Sequence, residues 1–335
     1  MKLVKQSYEI LEQEIPVHKL DDYSGSHFKE QYLENMYKHI ERCGRTCYKS
    51  EDKITPDSSK KFVDGLIKSK HLSVLEHGTI YLAMPMETII PISANGWGKY
   101  LGKYSKSGVV CEINGEKRVA VTTNFRVLVE NNWLDDLEYL CEPTKYHQLR
   151  HTVLLHSCIH TYKDLTRHRK MSFSIESTRY CNYSKTDKFG EMKFVLPPWL
   201  QEPWMKKRND LGIYTYWEDK DPSRLGVMPP YDDSKELLVD GYASYFDEEE
   251  YAFLTTLLDA EKKYNKLISL GWQPQQAAEV LPQCTAADVI MSGFDEDWKF
   301  VFDLRSDTAL TGKPHPLVEE IMTPLRDEFK ANNWI

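Results

Sequence analysis

Apolar residues recur at every third or fourth position along several stretches of the chain, a spacing that places them on one face of an α-helix. One such helix is predicted to start at Thr55, a good N-cap residue, with Pro56 at the first helical position, and to end near His71. Gly271, a favoured residue just past a helix C-terminus, follows another. The remaining helices are predicted at about 28–47, from 123–124 onward, and at 144–169, 247–270, 274–281 and 316–331.

Other stretches are rich in β-branched and aromatic residues, which favours strands, and these are predicted at 2–11, 74–84 and 193–196. Asn114-Gly115 lies between the apolar segments 109–113 and 117–121, and this dipeptide is a strong signal for a tight β-hairpin. Strands and helices do not alternate regularly, and the glycine-rich motifs of doubly wound nucleotide-binding folds are missing. The sequence therefore predicts an α+β fold, with a central, mainly antiparallel sheet flanked by helices.

The stretch 198–246 is rich in proline, tryptophan and aspartate and shows little periodicity. Long segments without regular structure inside a compact domain are typically functional loops or insertions. We interpret this stretch as an irregular insertion, a lid or a subunit contact, within one domain that spans residues 1–335.

The chain contains 51 acidic and 43 basic residues, a formal net charge of −8. Proteins that bind nucleic acid present a basic face to the phosphate backbone, so we expect no nucleic acid partner, whereas a single nucleotide stays a candidate ligand. The N-terminal segment has no long apolar stretch, and no apolar run is long enough to cross a bilayer. We therefore expect a cytoplasmic protein that does not bind membranes.

The cysteine and histidine patterns do not favour a metal site. The seven cysteines are scattered and form no CxxC pair, which predicts free thiols. Four histidines fall at helical spacing within the predicted helix at 144–169, but no carboxylate accompanies them as in an HExxH site. We interpret them as surface or packing residues and expect no metal; they are His147, His151, His156 and His160.

The segment from Arg167 to Tyr180 concentrates three arginines, a histidine, a glutamate and four serine or threonine hydroxyls. Arginine presents a planar fork of donors that matches phosphate oxygens, and hydroxyls can complete such a site. Cations also gather at helix C-termini because of the helix dipole, which alone could explain the first three residues. The continuation through Ser177 and Arg179 favours a site for a phosphorylated ligand.

The arrangement Arg167-His168-Arg169, then seven residues, then Ser177, resembles the signature of the flavin-dependent thymidylate synthases, and Arg179 and Tyr180 continue the match. The resemblance extends over most of the chain outside 198–246. It includes SVLEHGTIYL at 73–82, VAVTTNFRVLVENNWLDDLEYLCEP before the motif, and AAEVLPQCTAADVIMSGF and WKFVFDLR after it.

This resemblance implies reductive methylation of deoxyuridylate (dUMP) to thymidylate (dTMP). Methylene-tetrahydrofolate would donate the carbon, FAD would carry the electrons and NADPH would be the reductant. Family members are homotetramers whose active sites draw on several subunits, so the same assembly is implied here.

The fifth carbon of uracil is a poor nucleophile and must be activated. Ser177 has no evident neighbouring base, and an unassisted serine is a weak nucleophile at neutral pH. By resemblance, Arg305 in FDLRSD lies against the pyrimidine and favours ionisation of its ring nitrogen. We therefore expect activation by an arginine and no enzyme nucleophile.

The remaining roles are also implied by the resemblance. On the cofactor side, Thr79 would lie near FAD, His77 would line the flavin and folate region, and His315 corresponds to a histidine that follows the pyrimidine-side arginine. The Arg-His-Arg motif would contact the flavin through Arg167, His168 and Arg169. The nucleotide would be held by Asp164, Arg167, Glu176, Ser177, Thr178, Arg179 and Arg305, with Arg179 on its phosphate.

The sequence departs from the family pattern at three positions. An arginine is common where Ala278 stands, Glu or Gln is usual in place of Ile175, and Asn or His is usual in place of Phe300. The gap between Arg305 and His315 is also longer.

These departures leave several functions open. A dUMP-methylating enzyme with rearranged contacts would need another cation, such as Arg126 or Lys185, or else Ala278 is an engineered replacement. The alternatives are flavin-dependent methylation or hydroxymethylation of a different pyrimidine nucleotide, and a non-catalytic nucleotide-binding or flavin-binding homologue. The retained arginines favour an enzyme.

Overall fold

A computed structural model describes residues 1–17, 26–89, 99–113, 116–200 and 248–335. The turn at Asn114-Gly115 and nearly all of the predicted insertion lie outside the described residues. The described helices are α1 (Ser26–Thr46), α2 (Ser58–Lys68), α3 (Met86–Ile89), α4 (Phe125–Asn131), α5 (Ile159–Leu165), α6 (Thr186–Phe189), α7 (Glu248–Ser269), α8 (Pro274–Ala277), α9 (Asp295–Arg305) and α10 (Pro316–Ala331). The strands are β1 (Lys2–Val4), β2 (Ser7–Leu11), β3 (Thr79–Pro85), β4 (Lys106–Ile113), β5 (Glu116–Asn124), β6 (Arg150–Cys158), β7 (Ser172–Ile175), β8 (Lys193–Val195) and β9 (Ala286–Phe294).

The central sheet has the strand order β2-β6-β9-β7, and every pair in it is antiparallel. A second antiparallel sheet has the order β3-β5-β4, and β1 pairs with β8 in parallel. The α+β prediction with a mainly antiparallel sheet is therefore confirmed, as is the hairpin formed by β4 and β5.

Strand β6 is buried on both faces of the sheet. Its successive side chains point to opposite sides, so they pack into two different layers. Val153 and Leu155 pack into an apolar cluster that includes Trp298 of α9 and Phe329 of α10. Leu154 packs on the opposite face in a cluster that includes Cys43 of α1 and residues of β2 and β9. The central sheet is thus covered by α9 and α10 on one side and by α1 on the other.

Polar side chains fill much of the layer between the central sheet and α1. His77 contacts Ser292 Oγ through Nδ1 at 2.7 Å and Ser174 Oγ through Nε2 at 2.9 Å. The Ser292 hydroxyl also contacts Thr152, and Thr152 contacts His39. Because buried polar groups are costly unless they are hydrogen-bonded, this network specifies how the sheet, α1 and the segment before β3 meet.

The predicted helices at 28–47, 247–270 and 316–331 are confirmed within the described residues, as is the strand at 193–196. The helix predicted from 123–124 is α4, and Asn124 is its N-cap, where the side chain accepts a hydrogen bond from the Val127 backbone. The predicted strand at 2–11 is divided into β1 and β2.

The long helix predicted at 144–169 is wrong: this stretch contains β6 followed by the short helix α5. A strand buried on both faces has a continuous apolar run, which periodicity cannot distinguish from the apolar face of a helix. Pairing with β2 and β9 decides between them. The four histidines consequently do not share a helix face, and the described residues contain no group of three or more ligands suited to a metal ion.

Three boundaries also differ from prediction. The strand predicted at 74–84 begins at Thr79, because Leu72–His77 forms a 3₁₀ turn. Helix α2 begins at Ser58 with Asp57 at its N-cap position, so Thr55 and Pro56 precede it. The helix predicted at 274–281 consists of the four residues of α8 and a 3₁₀ turn at Ala278–Val280. None of the helices in the described ranges is long and apolar enough to span a bilayer.

Candidate active site

Arg305, the last residue of α9, is held by two groups near the end of α5. Its Nη2 donates to the Asp164 backbone oxygen at 3.1 Å, and Nη1 lies 3.4 Å from Asp164 Oδ2. Its Nε donates to His168 Nε2 at 3.2 Å. The Arg305 side chain is 19% exposed, so a fixed cation faces the surface of this chain.

His168 must be neutral in this arrangement, because its Nε2 accepts a hydrogen bond and therefore carries no proton. Burial of the ring and the positive charge of Arg305 lower the pKa of His168 to about 4. The proton of the neutral ring is then on Nδ1. His168 thus helps to orient the Arg305 guanidinium and adds no positive charge of its own.

Arg167 and Arg169 flank His168 in the turn between α5 and β7, and both side chains are exposed. Neither guanidinium makes a hydrogen bond or an ion pair with another residue in the described ranges. Lys103 donates to the Arg169 backbone oxygen at 3.3 Å, which brings a further cation beside the turn. The structure therefore brings Asp164, the Arg-His-Arg motif and Arg305 together, and it leaves two guanidinium groups available to an anionic ligand.

His315 also belongs to this region. It is the N-cap of α10, where its Nδ1 accepts from the Leu317 backbone at 3.3 Å, and its ring centroid lies 4.0 Å from that of His160. Burial and the neighbouring His160 lower the pKa of His315. Because His160 precedes Asp164 by four residues on α5, the two residues lie on one face of that helix.

Sequence reasoning missed His160 and Trp199 as components of this region. The ring of Trp199 lies 6.0 Å from that of His315, in an edge-on orientation. The spacing of four residues between His160 and Asp164 was the available signal, because the helix predicted at 144–169 includes both residues.

The second half of the motif lies at the other end of β7. Ser177 donates from its backbone nitrogen to the Cys47 oxygen at 2.9 Å, and its own oxygen accepts from Tyr180 and Cys181 at the start of a turn. The four residues of β7 alone span roughly 13 Å, at about 3.3 Å per residue. A single chain therefore does not place Arg169 and Ser177 side by side.

Thr178 and Arg179 follow in this turn, with Thr178 partly buried and Arg179 exposed. The Arg179 guanidinium lies over the ring of Tyr180, 5.4 Å from its centroid, and the Tyr180 ring packs against that of Tyr48 at 5.2 Å. Arg179 forms no ion pair with another described residue, so its charge is available at the surface.

Glu176 is buried, and both of its carboxylate oxygens have partners within the chain. Oε1 accepts from the Tyr183 hydroxyl at 2.7 Å, and Oε2 accepts from the Asp288 backbone at 3.1 Å and lies 3.1 Å from Lys49 Nζ. Burial raises the pKa of Glu176, an effect that the Lys49 charge opposes. The structure thus places Glu176 in an internal ion pair, and sequence reasoning missed Lys49 and Tyr183 as its partners.

His77 and Thr79 lie away from the Arg305 region, against the polar layer beneath α1. His77 is completely buried, and burial lowers its pKa well below the ordinary histidine value. Thr79 exchanges two hydrogen bonds with the Gln13 side chain through its backbone, and its Oγ1 accepts from Arg150 at 3.2 Å.

The residues that depart from the family pattern also have defined positions. Ile175 packs against the apolar cluster beneath α9 and α10, and Ala278 is partly buried at the start of a 3₁₀ turn. Phe300 is 58% exposed, with its ring edge-on to that of His168 at 5.9 Å. Arg126 forms ion pairs with Glu76 and Glu130, so it is not a free cation, whereas the Lys185 side chain is exposed.

Comparison with known proteins extends these observations. The sequence pattern of the family described as "Thymidylate synthase complementing protein" matches residues 148–327, more than half of the chain. The flavin-dependent thymidylate synthase of Haloarcula marismortui is 25% identical over 162 residues, which cover 47% of this chain and 55% of that protein. The enzyme of the same name from Halobacterium salinarum is 26% identical over 163 residues, with the same coverage. The match therefore spans about half the length of these relatives.

Among solved structures, the chain is similar to crystal structures of a UMP/dUMP methylase PolB from Streptomyces cacaoi. The complex with 5-Br dUMP is 15% identical, with a TM-score of 0.36 over 100% of this chain and 93% of that one. The complex with 5-Br UMP is 14% identical, with a TM-score of 0.37 over 100% and 92%.

Proposed function

The chain belongs to the thymidylate synthase complementing protein family, and from this premise we propose that it is a flavin-dependent enzyme that methylates dUMP to dTMP. The observation that carries the proposal is the fixed cation at Arg305, which is oriented by Asp164 and by the neutral His168. Methylene-tetrahydrofolate as carbon donor and NADPH as reductant are part of the same proposal.

Arg305 supplies the activation that this reaction requires. Its guanidinium can stabilise negative charge that develops on a pyrimidine ring when a ring nitrogen ionises, and this makes the fifth carbon nucleophilic. The partners of Arg305 hold the group in one orientation before the ligand binds, so little reorganisation accompanies charge development. Asp164 balances part of its charge while leaving the group partly exposed.

The chemistry of the available donors fits a flavin dinucleotide. Arg167 and Arg169 present unpaired guanidinium groups beside His168, and such groups suit a diphosphate. When bound, FAD supplies the redox chemistry that amino-acid side chains lack. The role of Arg167 and Arg169 is to bind and orient it next to Arg305.

The separation of the motif halves by β7 supports a site shared between subunits. Ser177, Thr178 and Arg179 stand at the opposite end of this strand from Arg169, with the charge of Arg179 at the surface. In our proposal a second copy supplies this turn to the Arg305 region, with Arg179 on the nucleotide phosphate, and the assembly is a homotetramer.

A titration and a kinetic assay test the function. The purified protein should bind FAD and become yellow, and it should release tritium from dUMP labelled at the fifth carbon only when methylene-tetrahydrofolate and NADPH are present. A protein that binds no FAD on titration contradicts the flavoenzyme proposal.

A second candidate is flavin-dependent methylation or hydroxymethylation of another pyrimidine nucleotide. It is favoured by Ile175, which packs into the apolar core, and by Ala278, because neither side chain can hydrogen-bond to a nucleotide. Tritium release from uridine or cytidine nucleotides but not from dUMP would favour this candidate. Tritium release from such a nucleotide together with formation of a 5-hydroxymethyl product would identify hydroxymethylation.

A further inference from the structure

Arg150, the first residue of β6, is partly buried, and only some of its N–H donors form hydrogen bonds. Nη1 donates to Thr79 Oγ1 at 3.2 Å, and Nη2 donates to the Glu76 backbone oxygen at 3.0 Å. Nε is buried and has no acceptor among the residues that the structure describes. Because a guanidinium carries five N–H donors, three of them have no partner in that part of the chain.

The charge of Arg150 is also only partly compensated, because Glu76 and Asp297 act on it without forming an ion pair. Within the described ranges no carboxylate forms an ion pair with it, in contrast to Arg126, which pairs with two. Burial lowers the pKa of Arg150 to about 10, and the negative charges of Glu76 and Asp297 oppose this shift without cancelling it. The Phe294 ring, 5.5 Å from the guanidinium carbon, offers only a weak cation–π contact.

A cavity of about 240 Å³ opens beside this guanidinium. Its wall contains hydrogen-bonding and aromatic groups and one exposed carboxylate, namely Gln13, Thr79, Tyr81, His151, Trp334 and Glu12. The Trp334 ring stacks on that of His151 with centroids 3.8 Å apart, which gives the cavity a flat aromatic side.

The size of the cavity limits what it can hold. Pockets that enclose an entire drug-sized ligand have volumes of about 300–1,000 Å³. A cavity of 240 Å³ is therefore suited to one end of a larger molecule. A partly buried cation that has unused donors and forms no ion pair among the described residues selects an anionic end with at least two oxygens.

We propose that the Arg150 cavity binds the anionic end, a phosphate or a carboxylate, of one of the enzyme's larger ligands. The site is separate from Arg305 and from the exposed arginines beside it. Thr79 holds one edge of the guanidinium in place, and the Arg150 side chain lines the cavity.

The first test uses inorganic phosphate and does not depend on the proposed reaction. Phosphate should raise the melting temperature of the wild-type protein above that in chloride at equal ionic strength, since a ligand that binds only the folded state stabilises it. Arg150→Met should lose this rise. The control Arg118→Met, which removes an arginine outside the cavity that pairs with the exposed Glu116, should keep it.

The anion has two possible sources, and matched ligand pairs distinguish them. If the site takes a phosphate of FAD, Arg150→Met should raise the Kd for FAD about tenfold to a hundredfold, the value of one charged hydrogen-bonded contact, and leave that for riboflavin unchanged. If it takes the glutamate carboxylate of the folate, folate affinity should fall and pteroate affinity should not. This part rests on the proposed function.

An equal rise in melting temperature in wild type and Arg150→Met, or no rise in wild type, overturns the anion site. If Arg150→Met does not fold, Arg150→Lys replaces it. A smaller rise in melting temperature with phosphate in Arg150→Lys than in wild type supports the site, and an equal rise overturns it. Unchanged affinities for both FAD and folate overturn the assignment to a ligand. A wild-type protein that responds to phosphate but binds no FAD refutes the proposed function and leaves the anion site intact.

Discussion

Arg305 donates a hydrogen bond from Nε to His168 Nε2 at 3.2 Å, although 137 positions separate the two residues along the chain. This bond exists only while His168 is neutral, so the orientation of the cation depends on pH. Burial and Arg305 itself lower the pKa of His168 to about 4, from an ordinary value of 6.5.

We expect His168 to make the protein less stable at acidic pH. Its pKa is lower in the folded state, so the unfolded chain binds more protons between pH 6.5 and 4. The stabilising contribution is complete above pH 6.5 and decreases by about 1.4 kcal/mol per pH unit as the pH falls through this window. Urea unfolding at several pH values measures it.

The variant His168→Gln isolates this effect from that of other buried histidines, such as His39, whose pKa is also lowered to about 4. Glutamine can still accept from Arg305 but does not titrate. The stability difference between wild type and variant should therefore change across the window. A difference that is constant from pH 7.5 to 5 would show that His168 does not titrate as described.

Substitution of Arg305 should remove catalysis without unfolding the protein. Loss of a group that stabilises developing charge typically lowers kcat by about a hundredfold to a thousandfold. We expect this loss for Arg305→Ala, and a substantial loss for Arg305→Lys, because lysine cannot reach the Asp164 and His168 acceptors as a planar fork. Tritium release measures the rate, and circular dichroism verifies folding. Activity within tenfold of wild type in Arg305→Ala would rule out this role.

The pair of Lys49 and Glu176 should be important for stability. Its atoms are 3.1 Å apart and Glu176 is buried, so Lys49→Met leaves an unpaired buried carboxylate and should cost about 3–5 kcal/mol. Adding Glu176→Gln to this variant removes that charge, while the amide oxygen can still accept from Tyr183, and should restore part of the stability. Urea unfolding of both variants measures this coupling.

The control for this cycle is Lys60→Met, which breaks the exposed pair of Lys60 with Asp64. Solvent screens exposed pairs such as this one, so a small effect is expected. Similar losses of unfolding free energy in Lys49→Met and Lys60→Met would show that the buried pair stabilises the protein no more than an exposed pair does.

His77 should act through the fold and not through direct contact with a cofactor. The side chain is completely buried between two serine hydroxyls, so His77→Phe leaves buried polar groups without a partner and should cost about 2–4 kcal/mol. The folded fraction should bind FAD and folate as the wild type does. Unchanged stability with weaker folate binding would instead support the contact that the family resemblance implies.

Local patterns predicted much of the fold. The helix ending before Gly271 and the β4–β5 hairpin were both recognisable, because capping residues and turn dipeptides act over a few positions. The helix prediction for 144–169 failed for a physical reason. A strand buried on both faces has the same apolar composition as a buried helix face, and only pairing with neighbouring strands distinguishes the two.

The candidate site was predictable to a similar degree. The Arg-His-Arg motif, Ser177 and Arg305 were identified from their spacing and their resemblance to a family. The partners that determine the protonation and accessibility of the motif residues were not, since Lys49 and Glu176 are 127 positions apart and no local pattern connects them.

Residue type and short spacings were enough to predict the class of fold, the family resemblance and the side chains that could carry chemistry. The pairing and burial of the charged groups depended on the folded chain. Packing placed Arg305 against His168, enclosed Glu176 and His77, and left Arg150 without an ion pair among the described residues. Burial and long-range contacts set the cost of each charge, and both arise only when distant segments pack together.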